Sequence, residues 1–142
     1  HNNSYTTQLN PMKNLNQIVN RLLGTHLSLA VRNHSFFVNE VPVDLPIDHN
    51  REWIASVISG LLSTVTGHAK NTCIRLSARK HGHIIVFTIH ESGNTNSYAM
   101  ASELKQAYSL AEKIGGCLSI SVPVMDNTTI SFSFPNLPSI AA

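Results

Sequence analysis

The stretch AEKIGGCLSISVPVMDNTTISFSFP, residues 111–135, decides which fold is predicted. It begins inside an amphipathic helix whose apolar face is formed by Leu104, Ala107, Ala111 and Ile114. Gly115 and Gly116 predict the end of that helix, because glycine adopts the left-handed conformation of a helix terminus without steric cost. Alternating apolar and polar residues then predict strands over 118–124 and 128–134, joined by a turn at 125–127. The stretch is therefore the end of a helix followed by a pair of strands.

A second helix and a second pair of strands lie upstream. Apolar residues recur there at helical spacing over more than three turns, which predicts a helix with a broad apolar stripe packed on a sheet. These residues are Trp53, Ile54, Val57, Ile58, Leu61, Leu62 and Val65. The segment before them, 41–50, contains two prolines and is predicted to be a loop. Strands are predicted over 73–79 and 83–90 with a turn at 80–82, and the second strand, apolar on both faces, is expected to be central in the sheet.

The N-terminal part has the same order of elements. Its apolar spacing predicts a helix over 14–23 that ends at Gly24, followed by a strand in which Leu27, Leu29 and Val31 alternate with smaller residues, and a second strand over 36–41. The whole pattern predicts the α+β class: a two-layer α/β sandwich with three helices on one face of a mixed, mostly antiparallel sheet. We expect the domain to span 14–135, with a linker or disordered segment at 1–13 and a tail at 136–142.

Composition argues against several classes of function. Ten Lys and Arg against eight Asp and Glu give the 142-residue chain a formal charge of +2, which is too small and too scattered for a nucleic-acid surface. No stretch approaches the roughly 18 apolar residues of a membrane span. The eight histidines and two cysteines lack the spacing of metal ligands. We therefore expect a cytoplasmic domain and assign it no metal site, no nucleic-acid partner and no membrane contact.

The order of elements and the closing stretch resemble the histidine-kinase-like ATPase fold, the GHKL group that includes sensor histidine kinases and gyrase-type topoisomerases. The resemblance covers about residues 14–135, and the spacing is most similar to that of sensor histidine kinases. The segment VDLPIDHNREWIASVISGLLSTVTGHA, residues 43–69, resembles the part of that family that carries the motif called the N-box. The resemblance implies an ATP-binding domain of a two-component signalling protein.

The resemblance also implies which positions would handle a nucleotide. In the family, Asn side chains of the N-box help to hold Mg²⁺ against the triphosphate. Aligning Leu61-Leu62 with the family's Leu-Leu puts Gly60 and Thr64 at the Asn positions and His68 where an aromatic residue or His is common. The family's Asp-x-Gly-x-Gly motif, whose carboxylate accepts a hydrogen bond from adenine, is matched by Glu91-Ser92-Gly93-Asn94-Thr95, so only the carboxylate and the first glycine are retained.

A third family motif, the Gly-rich lid over the phosphates, has no counterpart in this sequence. Only residues 94–101 separate Gly93 from the next predicted helix, and they include neither glycine nor a basic residue. We therefore interpret the motifs as degenerate, assign no catalytic residue, and predict a docking or regulatory module. Its expected partner is the receiver domain of a response regulator or a partner kinase, with dimerisation through an upstream helical hairpin.

Two other hypotheses stay open at this point. In one, Glu91 still binds the base of ATP or ADP without efficient turnover, although the loss of both Asn residues weakens the case for Mg²⁺. In the other, the chain is the C-terminal domain of a histidine phosphotransfer protein whose phosphorylated His lies upstream.

Overall fold

The computed structural model describes residues 13–93, 97–121 and 127–137. Its helices are α1 (Leu15–Arg32), α2 (Arg51–His68), α3 (Ser97–Glu103) and α4 (Lys105–Lys113). Its strands are β1 (Phe36–Asn39), β2 (Cys73–His81), β3 (Ile84–Glu91), β4 (Cys117–Ser121) and β5 (Thr128–Pro135). The strands form one five-stranded sheet in the order β1-β2-β3-β5-β4.

The predicted fold class is confirmed. β1 pairs with β2 in parallel and the other three pairings are antiparallel, so the sheet is mixed and mostly antiparallel. Strand β3 lies at its centre, as expected, between β2 and β5. Ile85, Phe87 and Ile89 of β3 are at most 1% exposed. Because side chains alternate along a strand, these three project from the same face, the one that packs against the helices.

Helix α2 contributes six fully buried apolar side chains to the core. Its buried apolar residues are at most 1% exposed: Ile54, Val57, Ile58, Leu61, Leu62 and Val65. The prediction that Trp53 belongs to the same buried stripe is wrong, because Trp53 is 43% exposed. It lies at the edge of the stripe, where the ammonium group of Lys113 is 5.7 Å from the ring centroid.

Helix α1 differs most from the prediction. It runs without interruption from Leu15 to Arg32, so neither the predicted helix end at Gly24 nor the predicted strand at Leu27–Val31 exists. A capping box starts the helix, with Gln17 N–H donating to Asn14 Oδ1 at 2.9 Å. An interior glycine costs a helix about 1 kcal/mol, and buried contacts on both sides of Gly24 outweigh that cost.

The alternation that predicted a strand has a different origin. In α1 the residues Leu27 and Val31 point away from the core and are 52% and 63% exposed, whereas Leu29 is half-buried. The apolar side chains at alternate positions therefore lie on different sides of a helix. A period of two within five residues is too short to exclude a helix when the following turn has no proline or glycine.

Of the three predicted strand pairs, the second and third are confirmed over the described residues, and only the second strand of the first pair exists, as β1. The β2–β3 turn contains Gly82 at φ +62°, and register pairs His81 with Ile84. At the end of α4, Gly115 has φ +73°, and a Cβ on Gly116 would lie 2.7 Å from the carbonyl oxygen of Ser133. Both glycines of the closing stretch are thus required, one by conformation and one by close packing. Residues 122–126, which include the end of one predicted strand and most of the predicted turn, lie outside the described residues.

Helix α3 was not predicted. It precedes the predicted third helix, and the two are separated at Leu104, whose N–H bonds to the carbonyl groups of Met100 and Ala101. Both Met100 and Leu104 are fully buried. Residues 94–96 lie outside the described residues, and from Ser97 to Glu103 the segment is a helix packed on the domain. No helix in the described ranges is long and apolar enough to cross a membrane.

Candidate functional site

The sheet brings Glu91 and Gly93 together at the end of β3. Glu91 is the last residue of that strand, paired with Ile74 on one side and Thr128 on the other. It is only 1% exposed, and its Oε1 accepts a hydrogen bond from the N–H of Gly93 at 2.6 Å. This short hydrogen bond fixes the turn that leaves the strand.

Gly93 is needed there because of close packing. A Cβ at this position would overlap Glu91 Oε1 and would lie 3.1 Å from both Cβ and Oγ1 of Thr72. Thr72 and Thr128 are themselves buried, at 7% and 3% exposure. Sequence reasoning did not select either threonine as a site residue. Thr128 belongs to the Thr-Thr pair of the closing stretch, and this pair was the signal in the sequence that could have drawn attention to it. No sequence pattern marks Thr72.

The other three predicted site residues lie together on α2. Gly60, Thr64 and His68 are four residues apart, so they share one face of the helix. Gly60 is half-buried, and a Cβ built on it would lie 3.8 Å from Cβ of Ala107 in α4. Thr64 is buried at 7% exposure. At the end of the helix, His68 Nε2 lies 2.5 Å from Glu103 Oε2.

Helices α3 and α4 therefore cover the α2 face that carries these residues. Both helices contact α2, and they contribute to the core Met100 and Leu104, which are fully buried, and Ala107, which is 5% exposed. Burying a Met or Leu side chain stabilises a fold by about 1.5–3 kcal/mol each. The cover is consequently part of the hydrophobic core, and the surface pair His68–Glu103 adds little to it, since the side chains are 25% and 52% exposed.

A groove of about 350 Å³ remains between α2 and α4. Its described lining residues are Ser56, Ser59, Gly60, Glu103, Gln106, Ala107 and Leu110. None of them is cationic and one is a carboxylate, whereas phosphate groups are normally bound by Arg, Lys or free backbone N–H groups. Among the described lining residues, no cationic side chain is therefore available to a phosphate group. Lys105, the first residue of α4, is exposed and does not line it.

The five predicted site residues thus form two groups, Glu91 with Gly93 at the sheet end and the other three on α2. Within the described residues, no set of three or more His, Cys, Asp or Glu side chains is arranged to hold a metal ion.

Sequence comparison and structural comparison give different results for this chain. No protein-family model matches it, and no curated protein matches it in sequence. Solved structures do match. Histidine kinase AdeS of Acinetobacter baumannii superposes with a TM-score of 0.77 at 10% identity, over 93% of this chain and 71% of that one. The catalytic domain of histidine kinase ThkA gives a TM-score of 0.75 at 15% identity, over 89% of this chain and 96% of that one.

The fold is that of a histidine-kinase catalytic domain. A further structure, ThkA in complex with the response regulator protein TrrA, matches 87% of this chain and 41% of that one, with a TM-score of 0.71 at 14% identity. Identities this low show a shared histidine-kinase fold and do not carry an activity with them. The chemistry of this histidine-kinase-like domain depends on its own residues.

Proposed function

We propose that this domain is a docking or regulatory module of a two-component signalling protein, built on the histidine-kinase fold but unable to transfer a phosphoryl group. One observation carries the proposal. Helices α3 and α4 lie against the α2 face that carries Gly60 and Thr64, the positions where the family would hold Mg²⁺: Ala107 faces Gly60, Thr64 is 7% exposed, and Glu103 contacts His68 at the end of that face.

The chemistry of phosphoryl transfer supports this proposal. Mg²⁺ is bound by oxygen ligands and neutralises the charge that develops on the transferred phosphoryl group. Gly60 offers no side chain, and the hydroxyl of Thr64 belongs to a residue that is 7% exposed. Glu103 adds a negative charge beside His68 and lines the groove, so it would repel a triphosphate.

The surroundings of Glu91 also favour a structural role. In the family this carboxylate accepts a hydrogen bond from adenine, but here Oε1 already accepts one from Gly93 N–H within a residue that is 1% exposed. An adenine base would have to displace protein contacts in order to reach it, and a buried donor that loses its acceptor costs about 1–3 kcal/mol.

A second candidate function is binding of ATP or ADP without turnover. It is favoured by one observation: the carboxylate stands at the end of the central strand, as the resemblance implies. Adenine recognition by Glu91 would have to coexist with the hydrogen bond from Gly93 N–H.

The partner that we propose is the receiver domain of a response regulator or a partner kinase. The ThkA structure with TrrA supports this choice, because it pairs a histidine kinase of this fold with a response regulator. A module without phosphoryl-transfer chemistry could still contribute a surface to such a complex.

Thermal unfolding with ATP or ADP, in the presence and absence of Mg²⁺, tests the proposal. A ligand at about 100 times its Kd stabilises the folded state by about 2.7 kcal/mol, which raises the melting temperature measurably. We expect no shift at millimolar nucleotide. A shift that is lost in Glu91→Ala and kept in the exposed control Glu112→Ala would overturn the leading proposal in favour of the second candidate.

A further inference from the structure

The turn between β2 and β3 forms an exposed positive protrusion, which we call the basic tip and define as residues 79–83. Its sequence is Arg-Lys-His-Gly-His, and all five residues are exposed. Two of them carry permanent positive charge, and two imidazoles can add to it. It lies at one end of β3, and Glu91 of the candidate nucleotide site lies at the other end of that strand.

The basic tip has no charge partner within the part of the chain that the structure describes. Two ion pairs occur among the described residues, His68–Glu103 and Arg75–Glu40, and neither includes a tip residue. Charged groups on most protein surfaces are interspersed by sign, whereas the tip contains no acidic residue. Asp48 approaches it indirectly, since its backbone N–H donates to Asn136 Oδ1 at 3.3 Å, but its carboxylate forms no ion pair with the tip.

Two exposed apolar side chains adjoin the basic tip. Ile84 follows it directly, pairs with His81 in the register and is 40% exposed. Leu137 is 57% exposed, and the residue before it, Asn136, donates its backbone N–H to the carbonyl oxygen of His83 at 2.7 Å. Positive charge and apolar surface therefore meet at one end of the sheet.

The basic tip is also held in place. The β2–β3 pairing extends to its last possible residues, and Gly82 adopts the positive φ that a tight hairpin turn requires. The Asn136 side chain donates to the carbonyl oxygen of Pro46 at 2.9 Å, which ties the adjoining segment to the loop before α2. A surface that is already ordered loses little conformational entropy when a partner binds.

We propose that the basic tip, together with Ile84 and Leu137, is a docking surface for an acidic segment of a partner protein that also carries an apolar side chain. The proposal rests on the docking role given above and locates it at a surface separate from the nucleotide site. Carboxylates of the partner would contact Arg79 and Lys80, and its apolar side chain would cover Ile84 or Leu137.

The composition of the tip favours a protein over a membrane or a nucleic acid. Recruitment to anionic lipid usually takes about four to eight clustered Lys or Arg residues, and the tip has two. Interfacial anchors are commonly aromatic, and neither apolar neighbour of the tip is. Nucleic-acid binders neutralise several phosphates at once, commonly about six to ten, which two cations cannot do.

Fluorescence anisotropy with a labelled synthetic peptide of Glu-Glu-Leu repeats tests the proposal, with a Gln-Gln-Leu peptide as the uncharged control. We expect the Glu peptide to bind, the Gln peptide not to bind, and affinity to fall between about 50 and 200 mM salt. The double variant Arg79→Glu/Lys80→Glu should weaken binding about tenfold or more. The matched variant Arg21→Glu/Arg32→Glu changes the net charge equally at exposed positions of α1 and should leave binding within about twofold.

A second matched pair of variants tests the apolar part of the docking surface. Leu137→Ser should weaken binding about threefold, whereas Leu27→Ser, at a leucine of similar exposure on α1, should not. Equal losses in the two charge variants, no binding of the Glu peptide, or preferential binding to phosphatidylglycerol vesicles would each overturn the proposal. Because peptide binding does not report on the nucleotide site, failure here would leave the melting experiment unaffected, and a nucleotide-induced shift would leave the tip result unaffected.

Discussion

The two faces of helix α2 differ in how well their residues match those that the resemblance implies. One face packs on the sheet through aliphatic side chains that are at most 1% exposed, among them Ile58, Leu61 and Leu62. The other face carries Gly60 and Thr64, which replace the Asn side chains that the resemblance implies. The histidine-kinase fold is thus present in a chain in which Gly60 and Thr64 stand at these two positions. The comparison teaches that this fold depends on the apolar face and not on the residues that would bind a nucleotide.

The largest expected effect comes from the apolar face. Leu61→Ala should destabilise the domain by about 2–5 kcal/mol, because it removes a fully buried side chain and leaves a cavity. Urea-induced unfolding measures this change. Leu27→Ala, in the exposed part of α1, is the matched control and should change stability by no more than about 0.5 kcal/mol. Similar losses for both leucines would contradict the assigned core.

The sheet end should be the next most sensitive region. Glu91→Ala should cost about 1–3 kcal/mol, because the N–H of Gly93 loses its acceptor. Glu91→Gln keeps an amide oxygen and should cost less. The same unfolding measurement separates the two variants, and equal stability of Glu91→Ala and wild type would show that the carboxylate is not structural.

A pair of glycine substitutions tests both the sheet end and the corrected helix. Gly93→Ala should destabilise by about 1–3 kcal/mol, since its Cβ would overlap Glu91 and crowd Thr72. Gly24→Ala has no atom within 4 Å of the added Cβ and lies inside α1, so it should stabilise by about 0.5–1 kcal/mol. Loss of stability in Gly24→Ala would argue for a helix end at that residue.

Periodicity over long segments was sufficient to predict most of the fold. The apolar stripe of α2, the alternation in β2, the apolar run of β3 and the Gly-Gly end of α4 each have one consistent interpretation. Over short segments periodicity failed, because the alternation at Leu27, Leu29 and Val31 fits either a helix or a strand when the burial of the side chains is unknown. Local patterns also could not place Trp53 outside the stripe, since its exposure depends on where α4 ends.

The candidate site was less predictable for a physical reason. Alignment with the family could identify the residues at the ligand positions. The side chains that cover these residues come from distant parts of the chain and depend on the tertiary structure. The contact of His68 with Glu103 joins residues that are 35 positions apart, and helix α3 is only seven residues long. The role of Thr72 beside Gly93 likewise depends on the packing of β2 against β3.

The smallest expected effect concerns the pair that links α2 to α3. A double-mutant cycle of His68→Ala and Glu103→Ala should give a coupling energy below about 1 kcal/mol, since both side chains are partly exposed. Met100→Ala, which removes a buried side chain from the same cover, should cost more, about 2–5 kcal/mol. The opposite order would mean that the cover is held by charge and not by apolar packing.

The most direct test of the central claim is residue-specific. Amide chemical shifts of the ¹⁵N-labelled domain, followed by NMR during addition of millimolar Mg²⁺-ATP, report on the supposed site itself. The account predicts no saturable shift at the amides of Gly60, Thr64 and Gly93. Saturable shifts at these three amides with a common Kd would contradict it, because they would show that a nucleotide enters the face of α2 that α3 and α4 cover.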